Sequence, residues 1–363
     1  MLVLVVNCGS STLKLRAVDN DEIVFRSDIL LTEGAVNEAE LSDVLAGVGP
    51  VDSVGHRIVH GGNLFERSMI FDKKVRAQLE SLRSLAPLHQ AQSLVALDVV
   101  GKALPQTPTV VCFDTSFHAA LPLAAATYAV PVEWRERYEV RRYGFHGLSH
   151  SYAVRRASDL LTRPAGEIRI VSCHLGSGAS LAAAKGGVSV DTTMGFTPLE
   201  GLVMATRSGT VDPGLLIWLQ KNAGLPLEEV SDALEHRSGL KALAGTGDMR
   251  IILAGAQAGD ARAQLALEVY IHRLCAGVAS MVPSLGGLDA LVFTAGVGEN
   301  EWQVRARVAE RLAFLGVHLD ESKNRTAAGD ADISAEGAPI RSLVVASRED
   351  LEIARETRRV LRG

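Results

Sequence analysis

Met1-Leu-Val-Leu-Val-Val-Asn-Cys-Gly-Ser-Ser-Thr-Leu-Lys-Leu-Arg-Ala-Val18 holds two apolar runs rich in β-branched residues, Leu2 to Val6 and Leu13 to Val18. They are joined through Gly9-Ser-Ser-Thr12, which predicts a hairpin with a small polar tip. The same device returns later in the chain. Ile168-Arg-Ile-Val-Ser-Cys-His-Leu175, then Gly176-Ser-Gly-Ala-Ser180, then Leu181-Ala-Ala-Ala184 repeats buried strand, Gly/Ser tip and second strand. The repeat points to an internal duplication. A third loop follows the strand Ala290-Leu-Val-Phe293, where Thr294-Ala-Gly-Val-Gly-Glu-Asn300 is expected as a Gly-rich turn opening a helix from Glu301 to Leu315. Helices are expected at Lys73 to Leu85, Ala91 to Ala103 and Ala261 to Met281, and buried strands at Val110 to Asp114 and Ser342 to Ala346. Strands alternating with helices place the chain in the α/β class. Leu161 to Gly166 and Ala327 to Pro339 are the sharpest linker candidates.

The length of 363 residues suits about two domains at roughly 150 residues each. With 37 basic and 42 acidic residues the formal charge is −5, so no overall positive field draws the chain to nucleic acid or an anionic membrane. An anionic ligand must be held locally. Cys8, Cys112, Cys173 and Cys275 stand far apart with no C-x-x-C pair, which suggests neither a disulfide framework nor a zinc cage, and reads as a reducing compartment. The apolar N-terminus lacks a basic n-region and is too short for a signal segment. Ala119 to Val130 and Cys275 to Leu288 are interrupted by Pro122 and Pro283 and are expected to fall short of a membrane span. A soluble, cytoplasmic protein is the expectation.

Gly/Ser tips between strands expose backbone N–H groups and hydroxyls that wrap phosphate oxygens, although steric need alone explains any single tip. Neither common nucleotide fingerprint is present: Glu301 breaks G-x-G-x-x-G after Gly296, and Gly9 to Lys14 is not a Walker A loop. Arginines and histidines recur together in Gly55 to Gly62, Arg141 to His150 and Ala205 to Pro213. Guanidinium forks match carboxylate and phosphate, and imidazole donates to an oxygen gaining charge. Taken singly, each has a plainer reading: His60 or His118 satisfying backbone groups, Arg141 and Arg142 as a solvated pair. His146 and His150 are four apart, but the absent glutamate of H-E-x-x-H and the flanking Gly144 and Gly147 argue against zinc.

Seven ordered segments resemble the acetate kinase family of acetate, propionate and butyrate kinases across nearly the whole chain. They are Asn7-Cys-Gly-Ser-Ser-Thr-Leu-Lys14, His56-Arg-Ile-Val-His-Gly-Gly62, Phe113-Asp-Thr-Ser-Phe-His118, Tyr143-Gly-Phe-His-Gly-Leu-Ser-His150, Thr197-Pro-Leu-Glu-Gly-Leu-Val-Met204, Thr206-Arg-Ser-Gly209 and Gly296-Val-Gly-Glu-Asn300. The resemblance implies a two-lobed, duplicated actin-like (ribonuclease H-like) fold, shared with sugar kinases and the Hsp70 ATPase, with an active-site cleft between the lobes. It divides the chain into 1–116 plus 351–363 and 117–350. It also implies a homodimer, ATP/ADP and acetate as substrates, and magnesium, with manganese as a substitute.

Carried over position by position, the resemblance makes Arg57 and Arg207 the clamps on acetate and the transferring phosphoryl group, with His146 on the equatorial oxygens and Asp114 as the active-site carboxylate. Asn7 and Glu349 would hold magnesium through waters. Ser10, Thr12 and Lys14 would line the phosphate side. His174, Leu175, Gly176, Ser177, Gly178, Asp248, Met249, Arg250, Gly296, Val297, Gly298, Glu299 and Asn300 would line the nucleotide side. Val59, Leu88, Phe145 and Pro198 match the pocket for the substrate methyl. The sequence departs from the family pattern at Cys8, where Ala is usual, Thr12 (Ser), Ser177 (Asn), Thr210 (Asp) and Ala295 (Gly), and the segment between Lys14 and Arg57 is short. The implied reaction is direct in-line transfer from ATP to acetate. Propionate or butyrate kinase and a pyrophosphate-dependent acetate kinase are the alternatives within the family. A non-catalytic actin- or Hsp70-like ATPase is the alternative outside it, and it would have no reason to keep Arg57, His146 and Arg207 together.

Overall fold

The hairpin read at the start of the chain forms as β1 (Val3–Cys8) and β2 (Thr12–Asp19), antiparallel from Val3 opposite Val18 to Cys8 opposite Leu13. The structure, a computed structural model, describes residues 1–9, 12–31, 36–85 and 87–363, with backbone alone at 84 and 87–89. Strands β3 (Glu22–Leu30), β4 (Ser53–Ile58), β5 (Met69–Ile70) and β6 (Thr109–Phe113) complete a six-stranded sheet of order β3-β2-β1-β4-β6-β5. Here β1, β4 and β6 run parallel, β2 and β3 continue antiparallel from β1, and β5 is antiparallel to β6.

The second copy is β7 (Arg169–Leu175), β8 (Ala179–Lys185), β9 (Val188–Thr192), β10 (Ala290–Thr294), β11 (Ala331–Asp332) and β12 (Arg341–Val344). Its order is β11-β12-β10-β7-β8-β9, the first sheet's order written backwards, with β7, β10 and β12 parallel and the other three antiparallel to their neighbours. The duplication is therefore one of topology as well as of hairpins. In open α/β sheets ligands gather outside the carboxyl ends of parallel strands. Asn7, Arg57 and Asp114 fall at those ends in the first sheet, and His174 and Thr294 in the second.

The chain divides into two compact units, the first made of Met1–Ala120, Phe145–Tyr152 and Arg348–Gly363, the second of Leu121–Gly144 and Ala153–Ser347. Phe145–Tyr152, placed by the expected boundaries in the second lobe, belongs to the first unit because Gly147 N donates to Asp114 O at 2.9 Å. Both linker candidates lie inside the second unit and mark no boundary; the later one carries β11.

In the first unit, Leu4, Val6, Leu13 and Leu15 pack with Leu41 and Leu45 of the helix Glu38–Val48 and with Ala96 and Val100 of the helix Pro87–Ala103. Asn37 caps the former by accepting from Glu40 N, one of the helix's otherwise orphaned donors. In the second unit, the helix Ala261–Leu285 buries Leu267, Ile271, Leu274, Val278 and Leu285.

Three elements differ from the sequence expectation. The helix Ala261–Leu285 runs through Pro283, which sits in its last turn, so by length and apolar composition it does reach the span of a membrane helix; its buried residues make it a core element. The expected helix from Lys73 stops at Ser81, and a 3-10 turn covers Arg83–Leu85. The expected Gly-rich turn at 294–300 is a short helix, Ala295–Asn300, followed by the helix Trp302–Arg311.

Candidate active site

In the first unit, three strand ends and one helix start bring four side chains together. Arg57 leaves β4, Asp114 follows β6, Asn7 lies in β1 and Glu349 opens the helix Glu349–Arg362. Arg57 Nε donates to Asp114 Oδ1 at 2.9 Å and Nη2 to Oδ2 at 2.5 Å, while Nη1 donates to Asn7 Oδ1 at 3.1 Å and to Cys8 O at 3.2 Å. Asn7 Nδ2 donates in turn to Glu349 Oε2 at 2.9 Å. Among the described residues these bonds take up four of the guanidinium's five N–H donors.

Asp114 is buried; burial raises its carboxyl, Glu349 adds to the rise, and Arg57 opposes it. Burial pulls Arg57 down, but Asp114 and Glu349 outweigh it and hold the guanidinium above its ordinary value. Asp114, Glu349 and the Asn7 amide bring hard oxygen donors together beside Arg57. That set fits magnesium, which keeps several waters and uses one or two carboxylates plus substrate phosphates. Among the described residues no three His, Cys, Asp or Glu side chains form an all-protein cage.

The turn carrying His146 is seated directly on Asp114. A Cβ at Gly147 would lie 2.1 Å from Asp114 O, so only glycine lets the turn approach so closely. His146 itself has a left-handed backbone, φ 56°, and Gly144 before it φ 73°. Such conformations in non-glycine residues gather at functional sites. Phe145 is buried, with the His60 ring edge-on at 5.2 Å and its carbonyl 3.1 Å from His118 Nε2. Burial pulls His118 down to about 4, so the neutral ring donates to that carbonyl. Val59, next to His60, is buried. Thr12 O closes the first hairpin by accepting from Gly9 N at 2.9 Å, and Lys14 pairs with Asn7 across the ladder. Ser10 lies outside the described residues, as does the side chain of Leu88.

In the second unit, Gly176 N donates to Gly178 O at 3.0 Å to close the tip after His174 and Leu175, and Ser177 O accepts from Ala205 N at 3.0 Å. Arg207 is mostly buried, with Nη1 donating to Pro198 O at 3.1 Å and lying 3.7 Å from Met204 Sδ. Its nearest carboxylate, Glu235, is 3.8 Å from Nε, too far for a hydrogen bond. Burial lowers the Arg207 guanidinium below its ordinary value, with Glu235 opposing. Among the described residues no carboxylate hydrogen-bonds to Nε or Nη2, and Glu235 stands at ion-pair distance only.

Asp248 caps the helix Met249–Gln257, and Arg250, largely exposed, forks onto it at 3.0 and 2.6 Å. That pairing, with the backbone N–H of Arg250, holds Asp248 at about 2. Met249 is buried beside them. Gly296, Val297, Gly298, Glu299 and Asn300 form the short helix, in which Asn300 Nδ2 donates to Gly296 O at 2.7 Å and Glu299 Oε1 accepts from Ser347 N at 2.8 Å. Ala295, the residue that stands for a usual glycine, has φ 65°.

The family model described as the acetokinase family matches residues 32–355. The chain belongs to the acetokinase family. The acetate kinase of Gloeobacter violaceus is 48% identical over 315 residues, covering 86% of this chain and 78% of that protein. That of Carboxydothermus hydrogenoformans is 39% identical over 391 aligned positions and covers 98% of each. Crystal structures of Porphyromonas gingivalis acetate kinase and of a propionate kinase from Francisella tularensis match with TM-scores of 0.92 and 0.91, each at 33% identity over 99% of both chains. A putative N-acetylmannosamine kinase from Listeria monocytogenes, at 13% identity and TM-score 0.51 over 99% of both chains, shares the fold alone. As an acetokinase-family member the chain is a phosphotransferase.

Sequence reasoning missed two groups that this acetokinase-family fold depends on. Arg305, wholly buried, donates to Gly298 O and Glu299 O at 2.9 and 2.7 Å and to Asn324 Oδ1 and O at 2.8 and 2.7 Å, pinning the end of the short helix. Burial lowers it to about 10. Its signal was an arginine on the apolar stripe of Val304 and Val308. Glu200 is the other, and its partners Tyr128 and Arg142 are 72 and 58 residues away, beyond any local pattern.

Proposed function

We propose that this acetokinase-family enzyme is an acetate kinase, transferring the γ-phosphoryl group of ATP to acetate to give acetyl phosphate and ADP. The observation that carries the reading is the 3.1 Å bond from Arg207 Nη1 to the carbonyl of Pro198. It ties a guanidinium with an open edge to a residue of the expected methyl pocket, an arrangement suited to a short carboxylate with an apolar tail. The names of the relatives support the same substrate class.

Acetate ionises near the range of Glu, so it is already a nucleophile at neutral pH and needs no base. The obstacle is repulsion between a carboxylate and a polyanionic phosphate. Arg57 supplies a fixed charge, since Asp114, Asn7 and Cys8 O hold four of its donors. Arg207 supplies a fork that follows the transferring group, and His146 donates to its equatorial oxygens. An acetate oxygen forms the new bond to the γ-phosphorus as the bond to the β–γ bridging oxygen breaks, and that electron pair leaves on ADP. Asp114, both oxygens engaged by Arg57, orients rather than attacks. Asn7 and Glu349 would hold magnesium, which would supply charge neutralisation at the phosphates. Acetyl phosphate is itself a strong donor, so the reaction runs both ways.

Four buried free thiols, Cys8, Cys112, Cys173 and Cys275, support a cytoplasmic location. The helix Pro213–Lys221 leaves Leu215, Ile217 and Trp218 exposed, which supports a homodimer.

Trapping the product with hydroxylamine tests the reading. ATP with acetate should give acetyl hydroxamate, propionate less and butyrate least, and pyrophosphate should not replace ATP. A butyrate efficiency equal to that of acetate, or turnover with pyrophosphate alone, would overturn the substrate or the donor. ATP hydrolysis that acetate leaves unchanged would favour the non-catalytic class.

A further inference from the structure

In the second unit the loop after β9 makes a tight circuit from Thr193 to Gly201, and one carboxylate holds it from inside. Tyr128 OH donates to Glu200 Oε2, and Arg142 Nη2 donates to Glu200 Oε1 at 2.8 Å. The same arginine reaches Thr193 O and Met194 O with Nη1, both at 3.1 Å, and Phe196 N donates to the Tyr128 oxygen at 3.0 Å. Thr193, Met194 and Phe196 before Pro198, and Glu200 after it, are thereby joined in one Tyr128–Glu200–Arg142 group.

Gly195 shows how closely the loop is fitted. A Cβ there would fall 1.8 Å from Glu200 Oε2 and 2.1 Å from Tyr128 OH, so the hydrogen bond between them occupies the space a side chain would take. Gly195 O accepts from Tyr143 N at 3.0 Å, just ahead of Phe145 in the chain. The far end is fastened as well: Gly201 N donates to Thr210 Oγ1 at 3.1 Å and Thr210 N to Gly201 O at 3.0 Å. Thr210 thus holds the Gly201 end of the loop with both its side chain and its backbone.

What this frame presents is the carbonyl of Pro198, the acceptor for Arg207 Nη1. We propose that Glu200 is a positioning residue for phosphoryl transfer, fixing through Tyr128 and Arg142 the Pro198 carbonyl on which the Arg207 guanidinium is aimed. Among the described residues Arg207 has no carboxylate within hydrogen-bond distance, unlike Arg57, and the Pro198 carbonyl is its one oxygen acceptor there, with Met204 Sδ 3.7 Å from the same nitrogen. Misplacing a clamp by about 1 Å costs up to about a hundredfold in rate.

The proposal rests on acetate being the acceptor, and the wild-type assay checks that separately. Glu200→Gln keeps the shape but removes the charge that draws Arg142; Tyr128→Phe removes a single oxygen, so the fold survives. For both, kcat/KM for acetate is expected to fall at least about tenfold, with KM for ATP within about twofold and the thermal midpoint within about 3 °C of wild type. The double variant should lose little more than Glu200→Gln alone, because the two residues act through one network. Wild-type acetate efficiency in Tyr128→Phe and Glu200→Gln would overturn the proposal. So would a parallel loss of ATP affinity and thermal midpoint, the mark of a merely structural role. A wild-type enzyme that leaves acetate untouched sinks the acetate reading and the proposal with it.

Discussion

Arg57 lays the edge of its guanidinium along the carboxylate of Asp114, nitrogen to oxygen at 2.9 and 2.5 Å, with the carboxylate almost wholly shut away from solvent. Among the described residues Arg207 has no carboxylate within hydrogen-bond distance, Glu235 being 3.8 Å away. The two arginines carry like charges in the proposed reaction, yet the structure predicts different costs for removing them.

Arg207→Ala is expected to lower kcat/KM for acetate by a hundredfold or more, on the order of 3 kcal/mol of transition-state stabilisation, with thermal unfolding almost unchanged. Arg57→Ala should lose as much activity and also about 3 to 5 kcal/mol of stability, because it strands Asp114 buried and unpaired. Urea unfolding of both variants beside steady-state kinetics checks this. Equal stability losses would contradict the difference in partners.

Val59 is buried at the end of β4 and belongs to the expected methyl pocket. One methylene is worth about 1 to 3 kcal/mol in such a pocket. Val59→Ala should raise the propionate-to-acetate ratio of kcat/KM by about tenfold. An unchanged ratio would remove Val59 from substrate selection.

Two buried histidines give stability a pH dependence. Burial pulls His56 down to about 3 and His118 to about 4, so both stay neutral in the folded protein while the unfolded chain takes up protons below about 6.5. Their contribution is present above that pH and is lost as the pH falls. From pH 7 to pH 5 each should cost about 2 kcal/mol of unfolding free energy. His118→Gln, though less stable at pH 7, should show a shallower decline. A slope equal to that of wild type would mean that His118 takes up a proton while folded.

Ala295, at φ 65°, stands where L-residues pay about 1 to 2 kcal/mol. Relief of that strain in Ala295→Gly offsets the flexibility gained by the unfolded chain and the lost methyl contacts. The expected change is within about 0.5 kcal/mol, whereas Ala266→Gly, wholly buried in the helix Ala261–Leu285, should cost about 1 kcal/mol or more. Equal losses at the two sites in denaturant titrations would count against strain at Ala295.

The parts of this fold that could be read in the sequence are those written in local pattern. Two strand–tip–strand segments announced the duplication, and the family resemblance of their neighbouring motifs picked out Asn7, Arg57 and Asp114, which the structure places at strand ends. The short helix Ala295–Asn300 was hidden because its glycines read as a turn, and because the carbonyls at its end are held by Arg305 rather than by its own sequence. Glu200 lies in one of the recognised segments, Thr197 to Met204, but the segment by itself gives it no role. Its role comes from Tyr128 and Arg142, which only the folded chain brings to it.

The helix Glu349–Arg362 closes one face of the first sheet. A Cβ on Gly55 would strike Thr357 and Ile353, and Cys112 Sγ lies 4.0 Å from Ile353 O. By strand alternation that face also carries Val3, Val5 and Val110. The residues that cover it follow the whole second sheet in the chain. During synthesis, then, the second unit can fold while the first still shows water a bare apolar sheet face, a natural target for chaperones and for mispairing between nascent chains. Glu349 arrives on that same helix, so the carboxylate facing Asn7 joins its site only as the sheet is sealed.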